Sequence, residues 1–304
     1  PYITYFDKKN NKHAIRTRWY YVNNENSTGE QSIANMWYGE YTFHSSLKAL
    51  GLNFVTGLSG FYSTIDAETF GDHVARNASV FLQVEKKFFD RLTFAGGARF
   101  EHNSIDQDNP LNKPIFRAGL NFRAAEATYI RASFGQGFRY PTVAEKYTQT
   151  QRSGAFVRPN PQLEPESGWT AEIGLKQSLA VGETWVGYFD VSGFVQQYFD
   201  MIEFTSTPVR PEGSVVPLSF QALNVNDTRI AGAEVSMFGT GEIFGIPTNF
   251  IVGYTFIKPI SLSWNDTIRY YDNNGVQLAG NTYAATSTSE ENILKFRFRH
   301  TAKA

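Results

Sequence analysis

The strongest constraint on this chain is a period of two. Between residues 79 and 88, Val80, Leu82, Val84 and Phe88 fall on one face of an extended strand, while Ser79, Gln83, Glu85 and Lys87 fall on the other, with Phe81 as the exception. Further along, Leu92, Phe94, Ala98 and Phe100 oppose Thr93, Arg99 and Glu101, and Phe116, Ala118, Leu120 and Phe122 oppose Arg117, Asn121 and Arg123. Trp169, Ala171, Ile173, Leu175 and Leu179 oppose Thr170, Glu172, Lys176 and Ser178 in the same way. A helix buries a stripe with a period near 3.6, so these segments read as strands with one oily and one polar face.

About a dozen such segments are legible, at 13–23, 32–43, 51–63, 74–88, 92–102, 114–124, 127–139, 167–180, 183–204, 221–238, 247–258 and 290–303. Several exceed the ~5–6 residues of a soluble strand and reach the ~9–11 that a tilted strand needs to cross a bilayer. The links "FDR", "AAE", "AVGE" and "GTGEIFG" are tight, whereas 103–113, 140–166, 205–220 and 259–289 read as long polar loops. Short turns on one edge and long loops on the other describe an antiparallel up-and-down transmembrane β-barrel better than a soluble sandwich or propeller. Arg99, Glu101, Arg117, Arg123, Arg131, Glu172, Lys176, Lys295 and Arg297 take the face assigned to an aqueous lumen. Phe88, Phe89, Trp169, Trp185, Tyr198 and Phe199 gather toward segment ends, as interfacial girdles or as ordinary sheet aromatics.

Composition removes several function classes. The 26 Phe and 16 Tyr suit a pleated surface, and a net charge of -1 lacks the basic footprint of a nucleic-acid binder. With no cysteine, disulfides and thiolate metal sites are excluded. His13, His44, His73, His102 and His300 are dispersed without metal-ligand spacing and read as solvated or interfacial residues. Asp106 and Asp108 read as a polar turn rather than a calcium loop. No nucleophile-and-base arrangement stands out, so neither an enzyme nor a resident cofactor or metal is expected.

The passage "SFGQGFRYPTVAEKY" at 133–147, followed by "NPQLEPESGWTAEIGLK" at 160–176, resembles the TonB-dependent outer-membrane receptors. The matching positions are Gly137, Phe138, Arg139 and Pro141, then Asn160, Pro161, Leu163, Pro165 and Glu166. "FLQVEKKFFDRLTFAGGARFEHN" at 81–103 and "ALNVNDTRIAGAEVSMFG" at 222–239 are similar to the same barrel. The resemblance implies a bacterial outer-membrane transporter for a scarce nutrient of the ferric siderophore, haem or cobalamin class. It also implies partners: the lipid bilayer, a plug domain, TonB with its inner-membrane energising complex, and in some relatives a surface lipoprotein. Family barrels have about 22 strands, so residues 1–304 are expected to be one part of such a barrel. The plug, the TonB box and the final strands are expected outside this sequence. A passive porin or a surface adhesin would share the wall without energy coupling.

Pro141 has no backbone donor, and Gly135 and Gly137 loosen the chain before it, so the strand should end there and a loop begin. Pro159, Pro161 and Pro165 are expected to keep the returning segment extended. Tyr140, Tyr147, Arg152 and Arg158 lie between and are the loop candidates for ligand contact, since aromatic and cationic side chains suit conjugated or anionic solutes.

Overall fold

The computed structural model describes the whole chain apart from residues 28, 107, 153–154, 183, 208–217, 244, 273–275, 287–291 and 295–296. Lys295 therefore lies outside the described residues, as does the Arg152 side chain. The strands, in chain order, are β1 (Tyr2–Phe6), β2 (Lys12–Glu25), β3 (Gln31–Leu47), β4 (Leu52–Ala67), β5 (His73–Phe88), β6 (Leu92–Ile105), β7 (Asp108–Ala125) and β8 (Thr128–Arg139). There follow β9 (Thr150–Arg152), β10 (Ala155–Arg158), β11 (Glu166–Val181), β12 (Trp185–Thr207), β13 (Leu218–Ile243), β14 (Ile246–Ser261), β15 (Thr267–Tyr271), β16 (Gln277–Thr282) and β17 (His300–Lys303). Two short helices, α1 (Val143–Tyr147) and α2 (Tyr283–Thr286), interrupt the loops.

Among the described residues, β1 through β8, then β11 through β14 and β17, form one antiparallel meander in sequence order. The long strands are the ones read from the alternation. β1 was not anticipated, because five residues are too few to establish a period. The segment expected at 290–303 is a described strand only over His300–Lys303.

The links at 7–11, 48–51, 89–91, 126–127, 182–184 and 244–245 all fall at one end of the sheet. Positive φ at Asn10, Gly51, Phe89, Asp90, Gly182 and Gly245 turns the chain tightly there. The other end carries 140–165 and, in place of the loop expected at 259–289, the connection after Ser261; of the loop expected at 205–220, residues 208–217 lie outside the described residues, and the long loop expected at 103–113 is not found. Instead β6 and β7 run on as a hairpin, to Ile105 and from Asp108, because polar residues on a strand beyond the oily zone look like loop in a hydropathy pattern. Likewise "GTGEIFG" is mostly strand, with β13 continuing to Ile243.

The period-two assignment holds on both faces. Phe94, Phe100, Phe116, Leu120, Phe122, Ile130, Phe134, Ile173, Leu175 and Leu179 remain exposed on the apolar face. The opposite face carries the charges, several of them paired: Arg131 donates to both Asp190 oxygens at 2.6 and 2.9 Å and to Glu172 at 3.1 Å. Arg99 pairs with Glu101, Arg117 with Gln83, and the Lys176 ammonium lies 3.8 Å from the Tyr188 ring centroid. Phe81, the exception in the pattern, sits on this polar face directly opposite Gly57, where a Cβ would come within 2.7 Å of its ring, and 5.7 Å from the Arg99 guanidinium. An aromatic ring laid over a cross-strand glycine shields bare backbone, and Phe194 over Gly232 repeats the arrangement.

The wall has one notch. β7 and β8 pair only from Ala125↔Thr128 to Arg117↔Gly135, after which β7 continues with β6 alone. The Phe116 N–H points toward β8 and is met by the Gln136 side chain at 3.1 Å. Alternate residues of an antiparallel strand direct their N–H groups to the same neighbour. Pro110 and Pro114 stand at such positions beyond Phe116 and have no N–H to give, so the ladder cannot be extended.

Among the described residues, the buried apolar side chains form no core beneath the sheet. Leu223, Val225 and Tyr270, with Ile268, Tyr271 and Leu278 packed on them, make a separate cluster where the β15–β16 hairpin lies against β13. This cap at the long-loop end also includes the β9–β10 hairpin, whose β10 pairs in parallel with β13.

Candidate functional site

Arg139 closes β8 opposite Glu166, the first residue of β11. Its Nε donates to Glu166 at 2.8 Å and its Nη1 to Glu145 at 2.7 Å. Glu145 in turn accepts the Thr142 N–H at 2.8 Å while Thr142 accepts the Glu145 N–H at 3.2 Å, a reciprocal cap that starts α1 immediately after Pro141. The second Glu166 oxygen accepts the Ile202 N–H of β12 at 2.5 Å. One arginine and two glutamates thus fix the end of β8, the helix and the start of β11. β8 does end at Arg139, before Pro141, as the sequence suggests.

Below this node, Gly137 and Gly168 face each other across β8 and β11, and a recess of about 440 Å³ is lined by Gly135, Gly137, Phe138, Arg139, Glu166, Gly168, Trp169 and Tyr198 among others. Cβ atoms at Gly135 and Gly137 would meet nothing, so these glycines leave free space.

The return segment is not simply extended, despite its prolines. A turn brings the Leu163 N–H to the Asn160 carbonyl at 3.1 Å, because Asn160 is anchored from several sides. Its side-chain amide donates to the Ala222 carbonyl of β13 at 2.9 Å, its own N–H donates to Lys146 at the end of α1 at 2.6 Å, and it accepts the Gln162 N–H at 3.2 Å. Asn160 and Leu163 are buried. Pro161 lies exposed in the turn, and Pro165, half-buried, leads into Glu166. These motif residues therefore build the cap. Gln221, fully buried, joins two parts of it by donating to the Pro159 carbonyl at 2.7 Å and accepting the Tyr271 N–H at 3.2 Å. Gln221 and Asn224 lie within a recognisable strand, but their cross-loop partners, about fifty to sixty residues away, leave no local signal.

The four ligand candidates occupy different surroundings. Tyr140 is half-buried, and Tyr147 stacks on His73 with ring centroids 3.9 Å apart. Arg158, on β10 beside Gln221, is only 2 % exposed. Burial pulls its guanidinium pKa down, against the charge of Asp272. None of these three lines the recess below Arg139. Of the two surroundings expected for the histidines, solvated or interfacial, His73 does not have the solvated one: its side chain is 13 % exposed and both ring nitrogens are engaged.

Two outcomes test this construction. Asn160→Ala removes anchors to α1 and β13 and is expected to destabilise the cap by ~1–2 kcal/mol, read as faster amide exchange across 155–165 with the wall unchanged. Glu145 is subject to burial, which raises its pKa, but the Thr142 N–H, Arg139 and the Thr142 hydroxyl outweigh this and hold it below its ordinary 4.5. A depressed folded value contributes stability that is present above the unfolded value and lost as pH falls through the folded one. A nitroxide at Ala144 should therefore gain mobility below pH 4.5, and in Glu145→Gln it should be mobile already at neutral pH.

The sequence matches the family described as TonB dependent receptor-like, beta-barrel, over residues 2–299. It is 26% identical over 161 residues to the probable hemoglobin and hemoglobin-haptoglobin-binding protein 4 of Haemophilus influenzae, covering 50% of this chain and 16% of that protein. It is 29% identical over 140 residues to the vitamin B12 transporter BtuB of Vibrio vulnificus, covering 45% and 20%. The chain thus spans a fifth or less of the length of these curated relatives. Among solved structures, the copper transporter OprC superposes with a TM-score of 0.60 at 16% identity, over 86% of this chain and 47% of that one. The siderophore receptor PirA of Pseudomonas aeruginosa gives 0.59 at 11% identity, over 88% and 55%. At such identities the structural likeness carries the fold, an antiparallel barrel wall, and the family match supplies the membership. The chain belongs to the TonB-dependent receptor β-barrel family.

Proposed function

We propose that this chain is part of the wall of a bacterial outer-membrane transporter that captures a scarce nutrient in its loops and imports it with energy from TonB. The observation that carries the reading is the apolar face: large side chains stay exposed along consecutive strands, a surface that suits acyl chains and would be a liability in water. The long-loop end, with its cap and recess, is then extracellular, and the tight turns are periplasmic. Siderophore, haem or cobalamin is the ligand class, supported by relatives whose names specify haemoglobin and vitamin B12. A plug supplied from outside residues 1–304 would occlude the lumen between cycles, and a surface lipoprotein would be a further partner at the mouth.

We place ligand contact on Tyr140, Tyr147, Arg152 and Arg158, with the enclosed Arg158 engaged only when the cap opens. The test is uptake by a strain lacking its own receptors, with haem, a ferric siderophore or cobalamin as sole source and with TonB present or deleted. Uptake of one of these that vanishes without TonB supports the proposal. Uptake indifferent to TonB would overturn it in favour of a porin, and surface binding without uptake in favour of an adhesin. Alanine at all four loop positions should weaken ligand binding by ~tenfold or more, as loss of charged and aromatic contacts implies.

A further inference from the structure

The notch between β7 and β8 leaves the rim as two panels without ladder bonds between 108–116 and 136–139. Contacts above it bridge the panels. On the first panel, His73 opens β5, with Phe70 in the turn before it and Asp106 in the β6–β7 link. On the second, Tyr147 ends α1 and Gln149 follows. The His73 ring stacks on Tyr147 at 3.9 Å and 21°, and the Gln149 N–H donates to the Thr69 carbonyl at 2.7 Å.

The two imidazole nitrogens face two acceptors. Nδ1 lies 2.5 Å from Asp106 Oδ2, and Nε2 lies 2.7 Å from the Phe70 carbonyl. The other Asp106 oxygen accepts the Val74 N–H at 2.7 Å. Neutral imidazole has one N–H and can serve only one of these acceptors, whereas imidazolium serves both. The charged side chains on the surrounding segments are Asp66 on β4, whose Ile65 pairs with His73, Glu68 and Asp72 beside His73, Asp106 in the facing link, and Glu145 and Lys146 on α1. Glu145 is committed to Arg139 and Thr142, and Lys146 is buried.

We propose that His73 is a proton-dependent latch across the notch, holding α1 and Gln149 against the 68–72 turn and Asp106 while the imidazole is doubly protonated. Loss of the second proton leaves either Asp106 or Phe70 without its donor. The ring can then tilt from Tyr147, and the second panel is freed to move with α1. The latch concerns the rim of the wall and holds whichever nutrient is carried.

The test uses the full-length receptor in a bilayer, with nitroxides at the exposed positions Glu68 and Ala144, and inter-label distances measured at pH 6 and pH 9. A single narrow distance at pH 6, joined at pH 9 by a longer component, is expected. The latched-to-open ratio should fall by ~tenfold, the scale set by one charge-assisted hydrogen bond. His73→Phe keeps an aromatic ring against Tyr147 but carries no proton, so its distances should not respond to pH. Heat-modifiable gel mobility establishes that each variant forms a folded barrel. A parent receptor whose distances are the same at both pH values overturns the latch, and so does a pH response that survives in His73→Phe.

Discussion

A receptor carrying Leu120→Arg is expected to lose about 2–4 kcal/mol of folding stability in a bilayer, although Leu120 is 44% exposed and an exposed position in a soluble protein tolerates such a change within roughly 0.5 kcal/mol. Leu120 sits between Phe94 of β6 and Ala132 of β8 on the apolar face. A guanidinium there must be drawn into hydrocarbon or dragged toward an interface. Its neighbour Asn121, opposite Thr93 and Arg131, belongs to the polar face. Asn121→Arg should therefore be much milder, apart from the added repulsion of Arg131. Urea-induced unfolding from lipid vesicles measures both variants, and equal costs would refute the assignment of the two faces.

The second large effect is steric. Gly187 and Gly239 are direct cross-strand partners at the tight-turn end of β12 and β13. A Cβ at Gly187 would overlap the Phe238 carbonyl and come within 2.9 Å of the Trp185 ring. The obstacle is backbone, so it cannot rotate away, and Trp185 is held in turn against Phe250 at 5.9 Å. Gly187→Val should cost roughly 3 kcal/mol, the upper part of the range for overpacking, and lower the folded fraction on a heat-modifiability gel. Gly135→Val provides the contrast, because the space over Gly135 is open and valine favours a strand.

How much of this was legible depended on the range of the interaction. Which face of β5, β6, β7 and β11 is oily follows from alternation, a property of neighbouring residues, and it was readable without coordinates. The end of β8 at Arg139 was readable from Pro141. The extent of β6 and β7 was not, since strand beyond the oily zone has loop-like composition and only the pairing of Ile105 with Asp108 reveals it. The cap was opaque for a related reason. Asn160 grips Ala222 and Gln221 grips Pro159 and Tyr271, partners that no local pattern brings together. His73 looked like any dispersed histidine because Asp106 comes to it from the β6–β7 hairpin and Tyr147 from α1. The family motif marked the place of the node around Arg139, but its architectural use by Asn160, Leu163 and Glu166 emerged only from their hydrogen bonds and burial.

β13 has 26 residues, and at ~3.3 Å each it is roughly 85 Å long, whereas a lipid-facing band ~25 Å tall consumes well under half of a tilted strand of that length. In the proposed orientation most of the remainder, with the cap riding on it, would stand clear of the lipid headgroups. β12 reaches the same height, with Thr207 opposite Ser219, so in the proposed orientation a large particle arriving from outside would strike the tip of this paired mast before the membrane-level wall.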